Sequence, residues 1–317
     1  MDIAKNSCLI YGCMGLGGGW KANAITADDE RIAEEAIQTA LEIGITTFDH
    51  ADIYAFGKAE EVFGRVLKHH PGLREKIFLQ SKTGICLHQG KNNSNFYNLS
   101  KEYIISQVSS ILKRLQTDHL DALLLHRPDS LMNAEEIAEA FDYLRKNGLA
   151  KHFGVSNMSV SQLKYIQHYW DEPLVVSQLQ LSLTHPLLLE TGVNVNTTKL
   201  GYDSGMQGML EYCRMNKMAI QAWSPLSKGL FTKNSDELPE GNDKETAALV
   251  RELAQKYNVS AASLLLAWLF RIPGVIQPII GTTNPDRIRD CKASTALQIS
   301  REDWYDLWIT TRGASLA

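Results

Sequence analysis

Four polar side chains of this sequence lie at or near the ends of short apolar runs, and their types could together move a proton to or from a carbonyl oxygen. Asp49 and Tyr54 come after one run, Lys82 after a second, and His126 directly after a third. Each run has the length and composition of a β-strand. If the strands are parallel neighbours, their carboxyl ends share one rim. A carboxylate, a phenol, an ammonium and an imidazole then meet in one pocket.

Each of the four side chains has a plausible task in such a pocket. Tyr54 is the candidate proton donor, although a free phenol has a pKa of about 10, which is too high for efficient work at neutral pH. A nearby ammonium favours the phenolate, so we expect Lys82 to lower that pKa. Asp49 would hold Lys82 by an ion pair and keep it protonated, and His126 would orient the substrate carbonyl.

The sequence pairs no serine or cysteine nucleophile with these four residues. When the oxygen of a carbonyl group is protonated, a second group must add to the carbonyl carbon. None of these four residues supplies that group, so it must come from another molecule. A hydride from a nicotinamide cofactor would complete a reduction.

Composition excludes several other classes of protein. The chain has 317 residues, of which 44% are hydrophobic, enough for one large α/β domain or two smaller ones. A net charge of −4 without a basic run argues against a nucleic-acid partner. Five scattered cysteines without a CxxC or a paired metal-ligand spacing favour a reduced, cytoplasmic protein that binds no metal. No secretory signal is visible, and the longest apolar run, residues 264–270, is too short for a membrane span.

Strand-like and helix-like segments alternate along the whole chain. Eight strands are predicted, at residues 9–11, 44–48, 76–81, 120–125, 151–155, 174–177, 218–222 and 275–280. Strands that alternate with helices imply a parallel sheet. Eight units over roughly 250 residues fit a closed (β/α)8 barrel, a TIM barrel, as a single domain over residues 1–317. A doubly wound open sheet is the alternative. In a barrel, the chemistry lies at the carboxyl ends of the strands.

Two long segments between these elements are predicted to be loops. Residues 88–98 are polar, and residues 187–203 are rich in Asn, Thr and Gly. The loops at the rim would form the substrate pocket, with Trp20, Phe56, Arg127 and the 88–98 loop as candidate walls. Trp304 and Trp308 are expected on a helix that packs against the barrel or borders the substrate.

At this point the sequence resembles the aldo-keto reductase family, and within it most closely the bacterial predicted oxidoreductases with an HRPD segment. The matching motifs follow the family's order over nearly the whole chain: residues 44–54 (GITTFDHADIY), 81–82 (SK), 124–129 (LLHRPD), 153–157 (FGVSN), 177–178 (SQ), 223–226 (WSPL) and 281–288 (GTTNPDRI). The resemblance implies Asp49, Tyr54, Lys82 and His126 as the catalytic tetrad and NADPH as the hydride donor. It also implies a small carbonyl substrate and a monomer.

The resemblance further implies a set of cofactor-binding residues. Ser156, Asn157 and Gln178 match residues that hold the nicotinamide carboxamide, and Trp223 matches the ring that stacks on the nicotinamide. Gly17 and Gly18 would lie in a tight turn that borders the cofactor. The loop over the pyrophosphate and the pocket for the adenosine half account for the others: Ser224, Pro225, Leu226, Ser227, Gly229, Gly281, Thr282, Thr283, Arg287 and Asp290.

The adenosine end of this set has both an independent physical basis and two departures from the family pattern. A Gly-Thr-Thr turn that opens a helix is a ready anion site, and Arg287 adds a fork suited to phosphate. Gly281 stands where many members have a lysine, and Cys291 where many have an asparagine. NADPH is the expected cofactor, with NADH use left open.

Other functions are compatible with parts of the pattern. A barrel that binds NADPH to sense it would share the fold, but the channel-associated relatives have Asn in place of His126. A Schiff-base lyase would use Lys82, but Asp49 would keep that amine charged. The glycine cluster of residues 15–19 lacks the third glycine of a Rossmann fingerprint, because Trp20 stands there.

Overall fold

A closed parallel barrel of eight strands forms the centre of the protein. The structure is a computed structural model, and it describes residues 7–195, 205–232 and 238–316. Within these ranges the strands are β1 (Ile10–Gly12), β2 (Thr47–Asp49), β3 (Phe78–Thr83), β4 (Ile85–Cys86), β5 (Phe96–Tyr97), β6 (Leu120–Leu125), β7 (Ala150–Ser156), β8 (Val176–Gln180), β9 (Ala219–Trp223) and β10 (Ile276–Ile280).

Hydrogen-bonded neighbours run around the barrel in the order β1-β10-β9-β8-β7-β6-β3-β2, and β2 closes the ring against β1. Every one of these pairs is parallel. All eight predicted strands are present, so the predicted (β/α)8 barrel is confirmed and the open doubly wound sheet is wrong. The closed ring places the carboxyl ends of all eight strands on one rim.

Helices surround the barrel and bury their apolar faces against it. Their bounds are α1 (Ala27–Glu42), α2 (Lys58–His69), α3 (Lys101–Leu115), α4 (Ala134–Lys146), α5 (Val160–Tyr169), α6 (Leu187–Val193), α7 (Met209–Met215), α8 (Asn242–Lys256), α9 (Ala261–Phe270), α10 (Pro285–Arg289) and α11 (Arg301–Arg312). Thr26 and Ser159 begin α1 and α5 with capping boxes, which fix the amino ends of these helices. No helix in the described ranges is both long enough and apolar enough to cross a membrane.

The barrel interior is layered, with apolar side chains below polar ones. Five buried residues of the strands form a small apolar cluster: Phe78, Ala122, Leu124, Val176 and Ala219. Four buried glutamines form a hydrogen-bonded layer above it: Gln80, Gln178, Gln221 and Gln277. Because side chains alternate along a strand, Lys82 follows Gln80 on the same face, one step nearer the rim.

Two segments differ from the sequence-based expectations. The predicted 187–203 loop contains α6, whose apolar residues Leu188 and Leu189 are buried. Residues 196–204 of that loop lie outside the described ranges. The predicted 88–98 loop ends in β5, which pairs with β4 as a short antiparallel hairpin. Helix α6 has no side-chain cap that would mark its start in the sequence. We therefore attribute α6 and the hairpin to contacts that exist only in the folded protein.

The aromatic residues of α11 have a packing role. Trp304 stacks on Trp268 with ring centroids 5.2 Å apart, and each indole donates a hydrogen bond to the other residue's backbone carbonyl. Trp308 donates to the carboxylate of Glu190 on α6. Of the two expectations for these tryptophans, packing against the barrel is therefore the one the structure shows.

Candidate active site

The structure brings the four predicted catalytic side chains together at the carboxyl rim of the barrel. Asp49 ends β2, Lys82 is the penultimate residue of β3, and His126 follows β6 directly. Tyr54 opens a short 3-10 turn, Tyr54–Gly57, five residues after Asp49. Three neighbouring strands therefore supply three of the groups, and the loop after β2 supplies the fourth.

Lys82 and Asp49 form a buried ion pair. The Lys82 ammonium donates to both carboxylate oxygens of Asp49, at 2.8 and 2.7 Å, and to the backbone carbonyl of His50 at 2.7 Å. The side chain of Lys82 is 0% exposed. Burial on its own lowers the pKa of Lys82, but the Asp49 carboxylate and the Tyr54 phenol outweigh it, so the pKa is raised. Lys82 is therefore a fixed cation.

Tyr54 lies beside this cation. The Lys82 nitrogen is 4.8 Å from the centroid of the Tyr54 ring. Burial raises the pKa of the Tyr54 phenol above its ordinary value, and Lys82 opposes that rise without cancelling it. Lys82 thus lowers this pKa, as expected, but desolvation is the larger effect, so the pKa stays above its ordinary value. The phenol thus stays protonated and can act as an acid.

His126 faces Tyr54 from the end of β6. The two ring centroids are 5.9 Å apart and the rings are nearly perpendicular, at 84°. Burial lowers the pKa of His126 well below its ordinary range, and the charges of Lys82 and Arg127 lower it further. The imidazole is therefore neutral at physiological pH, with its buried Nδ1 lacking a partner among the described residues. A neutral imidazole can donate one hydrogen bond to a carbonyl oxygen.

The glutamine layer supports Asp49 from below. The Gln80 amide donates to Asp49 Oδ1 at 2.6 Å, and the Gln178 amide donates to the same oxygen at 3.1 Å. Gln80 had no predicted role, although its position two residues before Lys82 on one strand was a usable signal. Gln178 was expected at the carboxamide of the cofactor. Its side chain is 2% exposed and donates to Asp49 and Gln221, and its contact with the cofactor stays a prediction.

The turn that carries Tyr54 has an unusual backbone. Ala55, Phe56 and Gly57 all have positive φ, at 51°, 60° and 86°. A non-glycine residue in this left-handed region costs about 1 kcal/mol or more, and such strain is concentrated at functional sites. The conformation leaves the Phe56 ring 47% exposed, edge-on to Trp20 at 5.4 Å and 6.0 Å from His88. Phe56 thus lies next to two other predicted pocket walls, Trp20 and His88.

Residues predicted to hold the nicotinamide lie on the opposite part of the rim. Ser156 ends β7 and Trp223 ends β9. The Asn157 amide donates to the Ser156 hydroxyl at 2.7 Å, and the Trp223 indole donates to the Asn157 carbonyl at 3.1 Å. These bonds fix the indole plane at the strand end. The three side chains form one hydrogen-bonded group, and its contact with the nicotinamide stays a prediction.

The loop after β9 contains the residues predicted to cover the pyrophosphate. Ser224, Ser227 and Gly229 have positive φ, at 53°, 50° and 79°. The short helical turn Ser227–Thr232 follows, while Pro225 is buried and Leu226 packs against the core. The Ser227 and Gly229 N–H groups donate within the loop, to the carbonyls of Ser224 and Leu226 at 3.1 and 2.7 Å, so contact with a pyrophosphate stays a prediction.

The segment after β10 carries the residues predicted to bind the adenosine phosphate. Gly281 follows β10, and the Tyr11 hydroxyl donates to the Thr282 carbonyl at 3.1 Å, which fixes the start of the turn. Thr282 and the adjoining Thr283 are partly exposed. The Asn284 side chain accepts from the N–H groups of residues 286 and 287. Those donors of α10 are used internally, so a phosphate bound here would have to contact side chains.

Arg287 is the best placed of these side chains. It is exposed, and no described carboxylate forms an ion pair with it. Arg289, two residues later, pairs with Glu42 and Asp286. The exposed Asp290 is fixed through its carbonyl, which accepts hydrogen bonds from two serine hydroxyls of the α9 amino end.

Gly17 and Gly18 have packing reasons for being glycine. Both have positive φ, at 77° and 74°. A Cβ on Gly17 would lie 2.7 Å from the backbone of Lys58, and one on Gly18 would lie 2.8 Å from the Asp29 carboxylate. Their turn follows β1 at the same rim. Contact with a cofactor stays a prediction for both.

Comparison with known proteins gives the class to which this site belongs. The profile of the Aldo/keto reductase family matches residues 8–308. An uncharacterized oxidoreductase of Bacillus subtilis, YcsN, is 33% identical over 303 residues, which cover 93% of each chain. A 6-dehydroglucose reductase of Agrobacterium fabrum is 32% identical over 319 residues, covering 100% of this chain and 98% of that protein.

The fold comparison agrees with the family profile. An aldo-keto reductase from Klebsiella pneumoniae, solved in complex with NADPH, superposes with a TM-score of 0.72 at 24% identity, over 95% of this chain and 90% of that one. The chain belongs to the aldo/keto reductase family. The sequence-based identification of an NAD(P)H-dependent oxidoreductase is therefore confirmed at the level of the family.

Proposed function

We propose that this protein reduces aldehydes and ketones to alcohols with NADPH, and that Tyr54 is the general acid. The observation that carries the proposal is the fully buried Lys82–Asp49 pair placed 4.8 Å from the Tyr54 ring. A cation held there does little for a protonated phenol, and it stabilises the phenolate that forms when the proton leaves. The interaction is therefore strongest when the proton is transferred, which is what lowers a barrier.

The tetrad residues divide the proton transfer among them. Tyr54 donates its proton to the substrate oxygen, and Lys82 compensates the negative charge left on the phenol. Asp49 keeps Lys82 charged and in place. His126, which is neutral, donates a hydrogen bond to the same substrate oxygen and sets the angle at which the carbonyl approaches.

NADPH fits the groups on the other half of the rim. Bound there, it would supply the hydride to the carbonyl carbon. Trp223, braced through Asn157 and Ser156, would hold the nicotinamide ring, and Gln178 lies next to them on β8. Residues 224–229 would cover the pyrophosphate. Arg287, exposed without a carboxylate partner among the described residues, would bind the 2′-phosphate with Thr282 and Thr283.

The substrate class and the setting of the enzyme are proposed more coarsely. A small carbonyl compound would enter past Trp20, Phe56 and His88, which wall the entrance next to Tyr54. We propose a monomer without a nucleic-acid partner, because one chain supplies every residue assigned to the site. The five cysteines are free thiols, which agrees with the cytoplasm as the proposed location.

The proposal is tested by NADPH oxidation with an activated aldehyde such as 4-nitrobenzaldehyde. We expect turnover by the wild type and a kcat lower by about 10²-fold or more in Tyr54→Phe, the scale of a positioned general acid. Tyr143→Phe, a change at an exposed tyrosine of α4, is the matched control and should keep the wild-type kcat. Unchanged kcat in Tyr54→Phe would remove Tyr54 from this role. No wild-type turnover across a broad carbonyl panel would instead favour a barrel that only senses NADPH.

A further inference from the structure

The outward face of β3 carries carboxyl groups that the proton transfer does not use. Side chains alternate along this strand, so Lys82 faces the barrel interior while Ser81 and Thr83 face the surrounding helices. The Ser81 hydroxyl donates to Glu60 at 2.6 Å, and the Thr83 hydroxyl donates to Asp52 at 2.7 Å. Both carboxyl groups are buried, with Glu60 0% and Asp52 8% exposed.

Asp52 joins the Tyr54 segment to the strand that carries Lys82. Its backbone N–H donates to the Lys82 carbonyl at 3.0 Å, and its side chain accepts from Thr83. Two residues later, the Tyr54 N–H donates to the Ala51 carbonyl at 3.0 Å and begins the strained turn. Asp52 thus holds the short segment before Tyr54 against β3 through two hydrogen bonds. The position of the Tyr54 phenol relative to the Lys82 ammonium depends on that segment.

Asp52 is only half satisfied at this position. Its Oδ1 is buried and has no hydrogen-bond partner among the described residues. Arg114 on α3 also has an unpaired polar atom. Its Nε donates to Glu60 at 2.7 Å, but its Nη2 is buried without a hydrogen-bond partner in the described structure. A charged Asp52 therefore has one oxygen that lacks a donor and a guanidinium nearby that lacks an acceptor.

The groups packed around Asp52 come from four elements. Glu60 lies on α2, Arg114 and Tyr103 on α3, and Cys86 on β4, with Lys82 behind on β3. Burial raises the pKa of Asp52 to about 7, and the Glu60 carboxyl adds to the rise, while the Thr83 hydroxyl and Arg114 act against it. Burial also raises the pKa of Tyr103 and of Cys86, so both of those groups stay neutral near pH 7.

We propose that Asp52 is a positioning residue for Tyr54, holding the phenol at the end of β3 while its carboxyl is neutral and releasing it when the carboxyl ionises. On ionisation the proton passes to water, and the carboxylate keeps its hydrogen bond from Thr83 while its unpaired Oδ1 is drawn towards the unpaired Nη2 of Arg114. The segment before Tyr54 moves with it. This role rests on the proposed function of Tyr54 as general acid.

The pH profile of kcat for Asp52→Asn tests this role. Asparagine is a neutral group of the same shape, so the variant should keep the wild-type kcat at pH 5–6 within about two-fold. We expect the wild-type kcat to fall about five-fold or more as the pH rises through about 7, and the variant to lack this step. The Michaelis constant for NADPH should be the same in both. Identical pH profiles would overturn the role of Asp52.

A pair of hydroxyl variants on the same face of β3 gives a second test. Thr83→Val removes the donor to Asp52 and should lower kcat while moving the midpoint of the step to higher pH, because that hydrogen bond favours the ionised carboxyl. Ser81→Ala removes the equivalent donor to Glu60, which does not fasten the Tyr54 segment. It should leave kcat within about two-fold. Equal losses in the two variants would indicate a general packing defect and refute the proposal.

Thermal unfolding measures the titration of Asp52 without any activity assay. A group whose pKa is higher in the folded than in the unfolded protein contributes stability that is lost as the pH rises between the two values. From about pH 4 to about pH 7, the wild type should therefore lose stability relative to Asp52→Asn. A parallel pH dependence in the two proteins would refute the titration of Asp52 near neutrality.

The two readouts also separate this proposal from the proposed function. Wild-type turnover with the same pH profile in Asp52→Asn would overturn only the role of Asp52. Absence of wild-type turnover at every pH would overturn the proposed function, and the positioning role with it.

Discussion

The two ends of the barrel each hold a buried aspartate among cations, but they differ in how fully the polar groups are paired. At the amino end, Asp121 accepts hydrogen bonds from the Leu79 N–H at 2.9 Å and from Lys151 at 3.0 Å, and it forms an ion pair with Arg74 at 2.9 Å. At the carboxyl end, Asp49 is equally well held by Lys82 and Gln80. The difference lies in the residues next to them.

Around Asp49, the described structure leaves four buried polar atoms without partners. They are both ring nitrogens of His50, Oδ1 of Asp52 and Nδ1 of His126. Unpaired buried polar atoms cost stability, so they persist where the arrangement serves another purpose. At the amino end, the paired cluster around Asp121 stabilises the fold. At the carboxyl end, the unpaired polar atoms lower the stability of the fold, and they lie among the residues of the candidate active site.

The largest expected effect separates the two ends by replacing one cation at each. Lys82→Met should lower kcat by about 10³-fold, because the phenolate of Tyr54 loses its compensating charge. Arg74→Met should leave kcat within about two-fold and lower the free energy of unfolding by about 2–4 kcal/mol, because it removes a partly buried ion-pair partner.

Steady-state kinetics at saturating NADPH and denaturant unfolding of both variants provide the measurements. A large loss of kcat in Arg74→Met would show that the amino end takes part in the chemistry. A Lys82→Met enzyme of near wild-type kcat would remove the cation from the proposed mechanism.

A smaller effect distinguishes two arginines within the carboxyl rim. Arg287→Ala should weaken NADPH binding about ten-fold more than NADH binding, because a charge-assisted contact to the 2′-phosphate is lost. Arg289→Ala is the matched control, since Arg289 pairs with Glu42 and Asp286 and should affect both cofactors little. Dissociation constants from fluorescence titration measure both. Equal weakening of NADPH and NADH by Arg287→Ala would place the 2′-phosphate elsewhere.

The smallest effect is a pH dependence at the amino end. Burial on its own would raise the pKa of Asp121, but the Leu79 N–H, Arg74 and Lys151 bring it below the ordinary value. A lowered folded pKa contributes stability that is present above the unfolded pKa and lost as the pH falls through the folded one. The wild type should therefore lose stability below about pH 4 more steeply than Asp121→Asn in thermal unfolding. Equal slopes would contradict the pairing.

Much of this architecture was readable from local patterns. The period of the apolar residues marked all eight strands, and the order of strands and helices was enough for a parallel barrel. The four catalytic candidates followed from their places at strand ends, where a parallel sheet must gather them. Local spacing determines these features, so they need no knowledge of the folded structure.

The segments that were missed depend on partners distant in sequence. Helix α6 lies in a predicted loop, and it is held by the packing of Leu188 and Leu189 and by bonds from Trp308 and Arg312 to Glu190. The hydrogen bonds of Gln178 to Asp49 and Gln221 likewise join three different strands. No local pattern encodes such contacts.

The sequence by itself determined the barrel, the rim and the identity of the groups that meet there, because strand periodicity and chain order are local properties. Only the tertiary structure decided the charge state of those groups, since burial and distance set a pKa. Burial raised the pKa of the Tyr54 phenol, although Lys82 lowers it. Burial also raised the pKa of Asp52, which lies three residues from Asp49 but on the other face of β3. Desolvation depends on everything packed around a group, and that is fixed only when the chain has folded.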